Sequence, residues 1–447
     1  MEELDAEKDP QVLGAFELLA VLGKGGMGKV YLARRLPLER VGSEMESRYF
    51  LAEHDEGREN GLAAVKVILP DFLEAEQGVS EEEKRARFDR EISSVQAVVS
   101  DRVPAFLGAD PEGELPWFAS EYLHGPDLGA LVKHHGKFAI GPYVALGLAL
   151  VDGLQAIHEA GLVHRDLKPS NVVLGPSGPA IVDFGLAALV ERRTSQALTR
   201  TGLGFGTPQY MPREQATDLK NVKEPGDVYS LGATLYAVAT GGKPPYGSQG
   251  PMAPPPSWRE VGPEFIPLLS RIIVHVPEQR PTLDEVRNGL LDMLIEGGLT
   301  ETIAQEQLVE LVEQAKLAPE LPTGATSGAA PPEVRQAAQD AVDDGGEPDE
   351  PWADLFDQLF DVPTPTAPKP SGETTTKPFP AYTPTVPDPA PGPAPVPGKS
   401  SGAATSYRLA PPAPAPGAVP PSVSTAPPAA LRAARELRKA YAHSSQL

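Results

Sequence analysis

The chain has 447 residues, a formal net charge of −22 and no cysteine. The lack of cysteine excludes disulfides, thiol catalysis and thiolate metal sites. The acidic balance argues against nucleic-acid binding, because neutralising phosphates needs clustered Lys and Arg. The N-terminus has no apolar run typical of a secretory signal, and the longest uncharged apolar stretches are about half the roughly 20 residues that a membrane span needs. We therefore expect a soluble, cytoplasmic protein that binds neither nucleic acid nor a membrane.

Strand patterns come first along the chain and helical patterns follow. Strands are predicted at 16–22, 30–33 and 63–69. Helices are predicted at 81–99, 143–160, 227–240 and 283–295. This order favours an α+β fold. Residues 36–61 are charged and lack a clear period, so we interpret them as an insertion between two strands.

Proline divides the chain into a folded part and a tail. Of the 51 prolines, 27 fall between Pro319 and Pro428. Such runs donate too few backbone hydrogen bonds and bury too little apolar surface to form a core. The predicted organisation is an extension at 1–13, a folded domain at 14–296, a short helical segment at 297–318, and a disordered, acidic Pro/Ala-rich tail at 319–428.

Two segments near the C-terminus have helical character. Residues 351–360 place the apolar side chains from Trp352 to Phe360 on one helical face. A helix of this length is marginal in water and needs a partner groove, either on the folded domain or on a recruited protein. The basic residues 429–447 are helix-prone, and they either meet the acidic stretch 343–361, meet an acidic partner or remain solvated. Proline-binding partners also suit the tail.

A glycine cluster lies between the first two predicted strands. It has the pattern G-x-G-x-x-G-x-V, formed by Gly23, Lys24, Gly25, Gly26, Met27, Gly28, Lys29 and Val30. Glycines let backbone amides approach phosphate oxygens. The pattern alone also fits a hairpin turn or a dinucleotide-binding loop, but the latter requires a helix directly after it. A β-branched and aromatic stretch follows instead, which favours the strand–loop–strand flap that covers a nucleotide in protein kinases.

Downstream motifs support that interpretation. Ala64 and Lys66 lie on the next strand, residues 164–171 read H-R-D-L-K-P-S-N, and D-F-G follows at 183–185. Together, in this order, these motifs resemble the eukaryotic-type serine/threonine protein kinases of bacteria. The resemblance covers roughly residues 14–295. It implies a bilobal α+β fold, with a small β-rich N-lobe and a larger helical C-lobe followed by the disordered tail.

The resemblance also implies catalytic roles, in a reaction that depends mostly on positioning and charge neutralisation. Lys66 would hold the α- and β-phosphates of ATP, Asp166 would orient the substrate hydroxyl, and Lys168 would neutralise the γ-phosphate. Asn171 and Asp183 would coordinate Mg²⁺ or Mn²⁺, since hard ions prefer oxygen ligands. A helix carboxylate must fix Lys66, and the family pattern favours Glu91 over Asp89 and Glu83 for this role.

The adenosine end of the site is implied by a second group of residues. Glu121 and Leu123 resemble the hinge that hydrogen-bonds adenine through backbone groups. Asp127 falls where a carboxylate meets the ribose hydroxyls, but it suits a helix cap equally well. Leu22, Val30 and Ala64, with the glycine-rich loop, complete the predicted ATP-binding residues.

Substrate choice and regulation follow from the same resemblance. Lys168, and Thr207 in contact with both Asp166 and Lys168, match the pattern for Ser and Thr substrates. Arg165 implies a site for a phosphate on the activation segment, and Thr199 and Thr201 are the predicted autophosphorylation sites, with an ordinary polar loop as the alternative.

Three further residues have implied structural roles: Asp227 braces the catalytic loop, and Glu214 pairs with Arg280. Pro212 and Arg213 depart from the family pattern, which leaves substrate specificity open. The implied activity is transfer of the ATP γ-phosphate to protein Ser/Thr hydroxyls in intracellular signalling, with a dimer through the N-lobe as an option. The alternative is a non-catalytic kinase-like scaffold.

Overall fold

The structure is a computed structural model of the chain. It describes residues 1–6, 8–25, 28–37, 51, 61–68, 92–110, 115–184, 207–218, 221–246, 250, 256–326 and 330–343. Strands come first and helices later, so the predicted α+β order is confirmed. A sheet-rich N-lobe ends at Glu121, and a helical C-lobe begins at Leu128.

The N-lobe is an antiparallel sheet of six strands within the described residues. These are β1 (Val12–Leu13), β2 (Phe16–Gly25), β3 (Gly28–Arg35), β4 (Leu62–Ile68), β5 (Phe106–Asp110) and β6 (Trp117–Glu121), in the spatial order β1-β2-β3-β4-β6-β5. The three predicted strands correspond to β2, β3 and β4. Because β3 and β4 pair from Gly28↔Ile68 to Arg34↔Leu62, the stretch predicted as an insertion connects two neighbouring strands. Most of that stretch lies outside the described residues.

Alternation along the strands gives the sheet two different faces. One face buries Tyr31, Val65 and Val67, together with Phe16 and Trp117, whose rings meet edge to face at 5.5 Å. The opposite face carries Val30, Ala64 and Lys66, which line a cleft toward the C-lobe. The sheet therefore presents its phosphate-loop strand and the predicted phosphate-binding lysine on the same side.

The C-lobe consists of helices and one hairpin. The helices are α1 (Leu128–His135), α2 (Ile140–Glu159), α3 (Arg213–Thr217), α4 (Glu224–Thr240), α5 (Ile266–Ile272), α6 (Leu283–Glu296) and α7 (Glu301–Ala315), and the hairpin is β7 (Val172–Gly175) with β8 (Gly178–Ile181). The predicted helices at 143–160, 227–240 and 283–295 correspond to α2, α4 and α6. Of the helix predicted at 81–99, residues 92–97 are helical and residues up to 91 lie outside the described part.

Two helices begin earlier than predicted, for the same reason. α2 starts at Ile140 and α4 at Glu224, so Pro142 and Pro225 fall within the first turn. The first amides of a helix have no partner inside it, so a proline is tolerated there. Helix α6 instead begins directly after a polar N-cap residue, because Thr282 and Glu285 form a capping box.

Helix α2 forms the centre of the C-lobe. Its residues Tyr143, Leu150 and Leu154 are fully buried, and α4, α6, α7 and the β7–β8 hairpin pack around it. In the described part of the chain, α2 alone has the length and apolar composition of a membrane span, and 78% of that span is buried inside the fold. The continuous apolar surface of α2 therefore matches that of a core helix.

The structure differs from the sequence prediction after residue 319. The tail was predicted to begin there, yet Ala325 is buried against the N-lobe sheet and a further helix, α8 (Pro332–Asp343), buries Ala338 against Leu36. Alanines bury little area each, so they do not produce the strong apolar pattern by which a core helix is recognised. The predicted start of the tail is therefore too early. The segments 351–360 and 429–447 lie outside the described residues.

The N-terminal extension contributes a buried ion pair to the sheet. Asp9 accepts hydrogen bonds from Lys29 on β3 and, at 2.8 Å, from the Tyr31 hydroxyl. The amide of Asp5 donates to the other carboxylate oxygen at 2.9 Å. Burial raises the pKa of Asp9, but Lys29 and these hydrogen bonds outweigh it and hold that pKa below its usual value. Lys29 follows the last glycine of the phosphate loop, so Asp9 ties this loop to the extension.

We predict that Asp9→Asn lowers the free energy of unfolding at neutral pH by about 3 kcal/mol, because Lys29 would keep a buried charge without its partner. The folded-state pKa of Asp9 is depressed, so its stabilisation is present above the unfolded pKa of about 3.9 and is lost as the pH falls through the folded value. Urea unfolding of the two proteins should therefore give a difference that shrinks in acid. Glu3→Gln, at an exposed position, is the control, and an acid profile identical to wild type in Asp9→Asn would contradict the assignment.

Candidate active site

The loop between α2 and β7 gathers four side chains at the base of the cleft. Lys168 Nζ donates to Asp166 Oδ2 at 2.7 Å and to Thr207 Oγ1 at 2.8 Å. The Thr207 amide donates to Asp166 Oδ1 at 3.2 Å, and Asn171 Nδ2 donates to the Asp166 carbonyl at 2.8 Å. The structure thus brings Asp166, Lys168, Asn171 and Thr207 together, as the sequence analysis expected, with Asp166 at the centre.

A buried carboxylate holds the backbone of this loop in place. Asp227, in the first turn of α4, accepts from the amides of His164 at 2.7 Å and Arg165 at 2.8 Å. Its Oδ2 also lies 2.8 Å from His158 Nε2. Burial raises the pKa of Asp227, but the hydrogen bonds and charge of His158 lower it more, so Asp227 stays ionised. Arg165 has a φ of 66°, a left-handed conformation that costs energy in a non-glycine residue, and Asp227 binds its amide directly.

Two other side chains complete this support. His164 is fully buried, and its Nδ1 accepts from the Asp166 amide at 3.2 Å. Its Nε2 therefore carries the proton and donates to the Val182 carbonyl at 3.1 Å, which links the catalytic loop to the strand end before Asp183. Gln215 donates to the Arg165 carbonyl at 2.6 Å. His158 and Gln215 could not be predicted from the sequence, because their partners, the Asp227 carboxylate and the Arg165 carbonyl, are distant along the chain.

Lys66, the predicted phosphate-binding lysine, and Asp183 of the D-F-G motif meet across the cleft. Lys66 on β4 donates to Asp183 Oδ2 at 3.1 Å. Burial raises the pKa of Asp183, but the nearby ammonium groups of Lys66 and, to a smaller extent, Lys168 hold it below the usual range. Asp183 also has a left-handed φ of 63°, which turns its side chain out of the strand direction. Glu91, the predicted partner of Lys66, lies outside the described residues.

The donor set fits a hard divalent cation that is shared with phosphates. Asn171 uses its amide nitrogen toward Asp166, which directs its carbonyl oxygen away from that carboxylate. Asp183 is ionised and its side chain is 38% exposed to the cleft. Among the described residues no three His, Asp or Glu side chains cluster as a metal cage. Two oxygen ligands completed by substrate phosphates are typical of Mg²⁺ sites, so Asn171 and Asp183 suit that ion.

The strand β6 leads into the segment predicted to bind adenine. The amides of Glu121 and Tyr122 donate to Ala105 and Leu62, whereas no described backbone group accepts from the Leu123 amide. Two residues further along, the chain packs closely against β7: a Cβ on Gly125 would lie 2.0 Å from the Leu174 carbonyl oxygen. Leu123 lies between β6 and this close approach, and the binding of adenine by its amide remains a prediction.

Asp127 has a defined structural role. Its side chain caps α1 by accepting from the Ala130 amide at 2.9 Å. Of the two roles considered for Asp127, the structure therefore shows the helix cap. The ribose contact remains a prediction, for which the second carboxylate oxygen is the relevant atom.

The glycine-rich loop joins β2 and β3 above the cleft. Gly23 has open space where a Cβ would be, and Gly28 has a φ of 149°, which favours glycine. Val30, Ala64 and Lys66 face the cleft from adjacent strands, and Leu22 lies at the start of the loop. The loop tip, Gly26 and Met27, lies outside the described residues.

Comparisons with known proteins agree with this geometry. The sequence profile of the protein kinase domain matches residues 56–290. Serine/threonine-protein kinase AfsK of Streptomyces griseus is 37% identical over 248 residues, 56% of this chain and 27% of the relative. The probable serine/threonine-protein kinase PkwA of Thermomonospora curvata is 35% identical over 284 residues, 62% of this chain and 34% of the relative. PknB of Mycolicibacterium smegmatis, also a serine/threonine-protein kinase, is 31% identical over 298 residues, 62% of this chain and 42% of the relative.

The profile match covers more than half of the chain. This chain belongs to the protein kinase domain family. The chain spans less than half the length of the three relatives above. The matched range begins after the phosphate loop, but β2 and β3 pair in register with β4, so the loop has its place in the kinase N-lobe beside Lys66.

The end of the activation segment is anchored to the C-lobe of the kinase domain. Arg280 binds Glu214 with both terminal nitrogens, the second at 2.9 Å from Oε2, and also reaches the Pro225 carbonyl at 2.8 Å. The Arg280 side chain is fully buried. The predicted Glu214–Arg280 pair is therefore present despite Pro212 and Arg213. Thr199 and Thr201 lie outside the described residues.

A small pocket lies within the cleft, beside the segment predicted to bind adenine. Its walls are Val30, Ala64, Lys66, Pro104, Phe118, Ser120, Asp183 and Phe184. Ser120 lies on β6, opposite Ala64, between this pocket and the hinge. Because Ser120 directly precedes the predicted hinge and has a short side chain, we expect it to leave this side of the pocket open to a bulky ligand group.

We predict that Ser120→Met closes this pocket to inhibitors. An ATP-competitive compound with a bulky group behind adenine should lose about tenfold or more in affinity, the equivalent of a roughly 1–3 kcal/mol overpacking cost. The KM for ATP should change little, because Ser120 is not among the residues predicted to bind ATP. Ser120→Ala, which keeps the opening, is the matched control. Equal inhibition of the Met and Ala variants would show that Ser120 does not gate this space.

Proposed function

We propose that this chain is a serine/threonine protein kinase that transfers the γ-phosphoryl group of ATP to Ser and Thr hydroxyls of protein substrates. The observation that carries the proposal is the contact of Lys168 with both Asp166 and Thr207. This triangle fixes a carboxylate and an ammonium group beside each other at the base of the cleft. The names of the relatives, all serine/threonine kinases, support the same substrate class.

Each side chain has one task in this mechanism. Asp166 accepts a hydrogen bond from the substrate hydroxyl and aims it at the phosphoryl group, while Lys168 neutralises charge that develops on the transferred oxygens. Lys66 holds the α- and β-phosphates, and Glu91 is proposed to hold Lys66. Asn171 and Asp183 would hold Mg²⁺ or Mn²⁺, and this ion, when bound, neutralises phosphate charge.

Thr207 contributes to specificity by its contacts. Its hydroxyl accepts from Lys168 and its amide donates to Asp166, so the start of the substrate-docking segment is fixed to the catalytic loop. A substrate hydroxyl must approach Asp166 past this segment. This restricted approach to Asp166 would suit the short side chain of Ser or Thr better than the longer side chain of Tyr.

Regulation by phosphate is a further part of the proposal. A phosphoryl group adds about −1.5 to −2 charges and orders a loop when arginine binds it. Arg165 lies next to Asp166 in the catalytic loop and is held by Asp227. We propose Thr199 and Thr201 as sites of autophosphorylation whose phosphate is bound by Arg165.

The remaining partners are proposals from the sequence. Residues 351–360 would bind a grooved partner, the proline-rich runs would bind proline-recognising domains, and the N-lobe would form a dimer. The reaction consumes ATP and serves intracellular signalling, so we assign it to the cytoplasm. The alternative of a non-catalytic scaffold is opposed by intact Lys66, Asp166, Asn171 and Asp183.

We predict that Asp166→Asn reduces phosphorylation of a Ser/Thr peptide by about two to four orders of magnitude, because the hydroxyl loses the carboxylate that orients it. Lys66→Met should have a similar effect by misplacing the phosphates. Incorporation of labelled phosphate from ATP measures both, and thermal unfolding checks that the variants are folded. Glu264→Gln, on the exposed surface, is the control. Near wild-type transfer by either variant would refute the roles, and an inactive wild type would favour the scaffold.

We predict that combined Thr199→Ala and Thr201→Ala slows phosphorylation of an external peptide much more than it weakens ATP binding. The reason is that the phosphate orders the substrate-docking segment, whereas the nucleotide site is formed by the sheet and hinge. Steady-state kinetics and nucleotide titration separate the two effects. Mass spectra of the active protein without phosphate on residues 194–201 would contradict the proposal.

A further inference from the structure

After helix α7 the chain runs back across the hinge to the N-lobe. Residues 317–343, here called the strap, are described except for 327–329. The strap begins at Leu317, which packs on the C-lobe core, just after Lys316 ends α7 in a left-handed conformation. It ends in α8, which packs beside β1 and β2. The strap therefore touches both lobes.

The middle of the strap packs against residues of the nucleotide site. Ala325 is 3% exposed and forms one apolar cluster with Leu32 and Leu62, and with the partly buried Leu22 and Tyr122. Leu321 joins the same cluster. Leu22 begins the phosphate loop and Tyr122 lies in the hinge, so both elements that surround adenine share a contact surface with the strap.

Two further contacts fix this position. Arg34 on β3, which also binds Glu17 at 2.6 Å, donates to the Gly324 carbonyl at 3.3 Å. Beyond it, α8 places Ala338, which is fully buried, against Leu36 and Ala330. The strap is thus held at the hinge and again at the β1 edge of the sheet.

The length of chain between the two lobes limits their separation. Leu321 on the N-lobe cluster follows Leu317 on the C-lobe by four steps along the chain, and four steps can span at most about 14 Å. As long as both contacts hold, the hinge cannot open beyond the reach of this short segment. Release of the α8 anchor would remove one of the contacts that hold the segment against the hinge.

We propose that the strap positions the adenine end of the nucleotide site, with Leu321 and Ala325 acting as positioning residues through Leu22 and Tyr122. This inference rests on the proposed function and adds an intramolecular determinant of ATP affinity. The apolar clusters that hold the described part of the strap consist of N-lobe and hinge residues and include none of Asp166, Lys168 and Asp183. It therefore changes nucleotide binding and leaves the phosphoryl-transfer step itself unchanged.

The test uses the full-length protein and two matched pairs of variants. Ala325→Asp inserts a charge into the cluster at the hinge, and Thr326→Asp adds the same charge at the exposed neighbour. Ala338→Asp disrupts the distant anchor of α8, and Ala337→Asp is its exposed control on the same helix. Both members of the second pair carry the same helix-propensity cost, so a difference between them reports the buried contact.

The expected result is weaker binding of a fluorescent ATP analogue with Mg²⁺, by about fivefold or more, in Ala325→Asp and Ala338→Asp and in neither control. The KM for ATP should rise by the same factor, while kcat at saturating ATP stays at the wild-type value. If Ala325→Asp fails to fold, Ala338→Asp carries the test, because it lies away from the nucleotide site.

Equal nucleotide affinity in Ala338→Asp and Ala337→Asp would overturn the proposal, as would a loss of kcat with unchanged affinity. The binding assay also separates this inference from the proposed function. A wild-type protein that binds the analogue but phosphorylates no Ser or Thr peptide would refute the kinase activity, and the comparison of affinities would still decide the role of the strap.

Discussion

The site depends on one buried carboxylate. Asp227 holds the amides of His164 and Arg165 from beneath the catalytic loop, and a buried acceptor of this kind is costly to remove. The strained φ of Arg165 persists because this contact and the Gln215 bond to the same residue over-determine the backbone. Asp166 then projects into the cleft from a backbone that cannot relax.

This constraint extends to both ends of the activation segment. His164 connects the loop to Val182, and the next residue is Asp183, whose carboxylate meets Lys66. At the other end, Thr207 is bound to Asp166 and Lys168, while Arg280 holds Glu214. The contacts of the two described ends are therefore made to the catalytic loop and to the C-lobe, and a phosphate at the proposed sites Thr199 or Thr201 would act on a segment whose ends are already anchored.

The residues of the candidate site could be picked out from the sequence because they form short local patterns. Lys66, Asp166 and Asp183 occur at characteristic spacings within apolar strands and turns, and α2 and α4 show helical periodicity. Other features rest on distant partners that leave no local pattern. The Asp9–Lys29 pair joins two charged residues that would each pass for solvated surface, and the starts of α2 and α4 were hidden by prolines in their first turns. Ala325 and Ala338 contribute contacts through small side chains. Each buries little apolar area, so a search for hydrophobic patterns does not single them out.

These missed contacts have a common consequence for the N-lobe. An edge strand of a sheet exposes unpaired backbone groups and is usually covered. Here β1 adds to β2, Glu2 pairs with Val21 by two hydrogen bonds of 2.9 Å, and α8 lies beside both strands. The strand that carries the phosphate loop is thus supported by residues before 14 and after 319, both outside the domain bounds predicted from the sequence. Residues from about 2 to 343 therefore contribute to the folded N-lobe and C-lobe, because Glu2, β1 and α8 cover the β2 side of the sheet, and with it the strand that leads into the predicted phosphate loop.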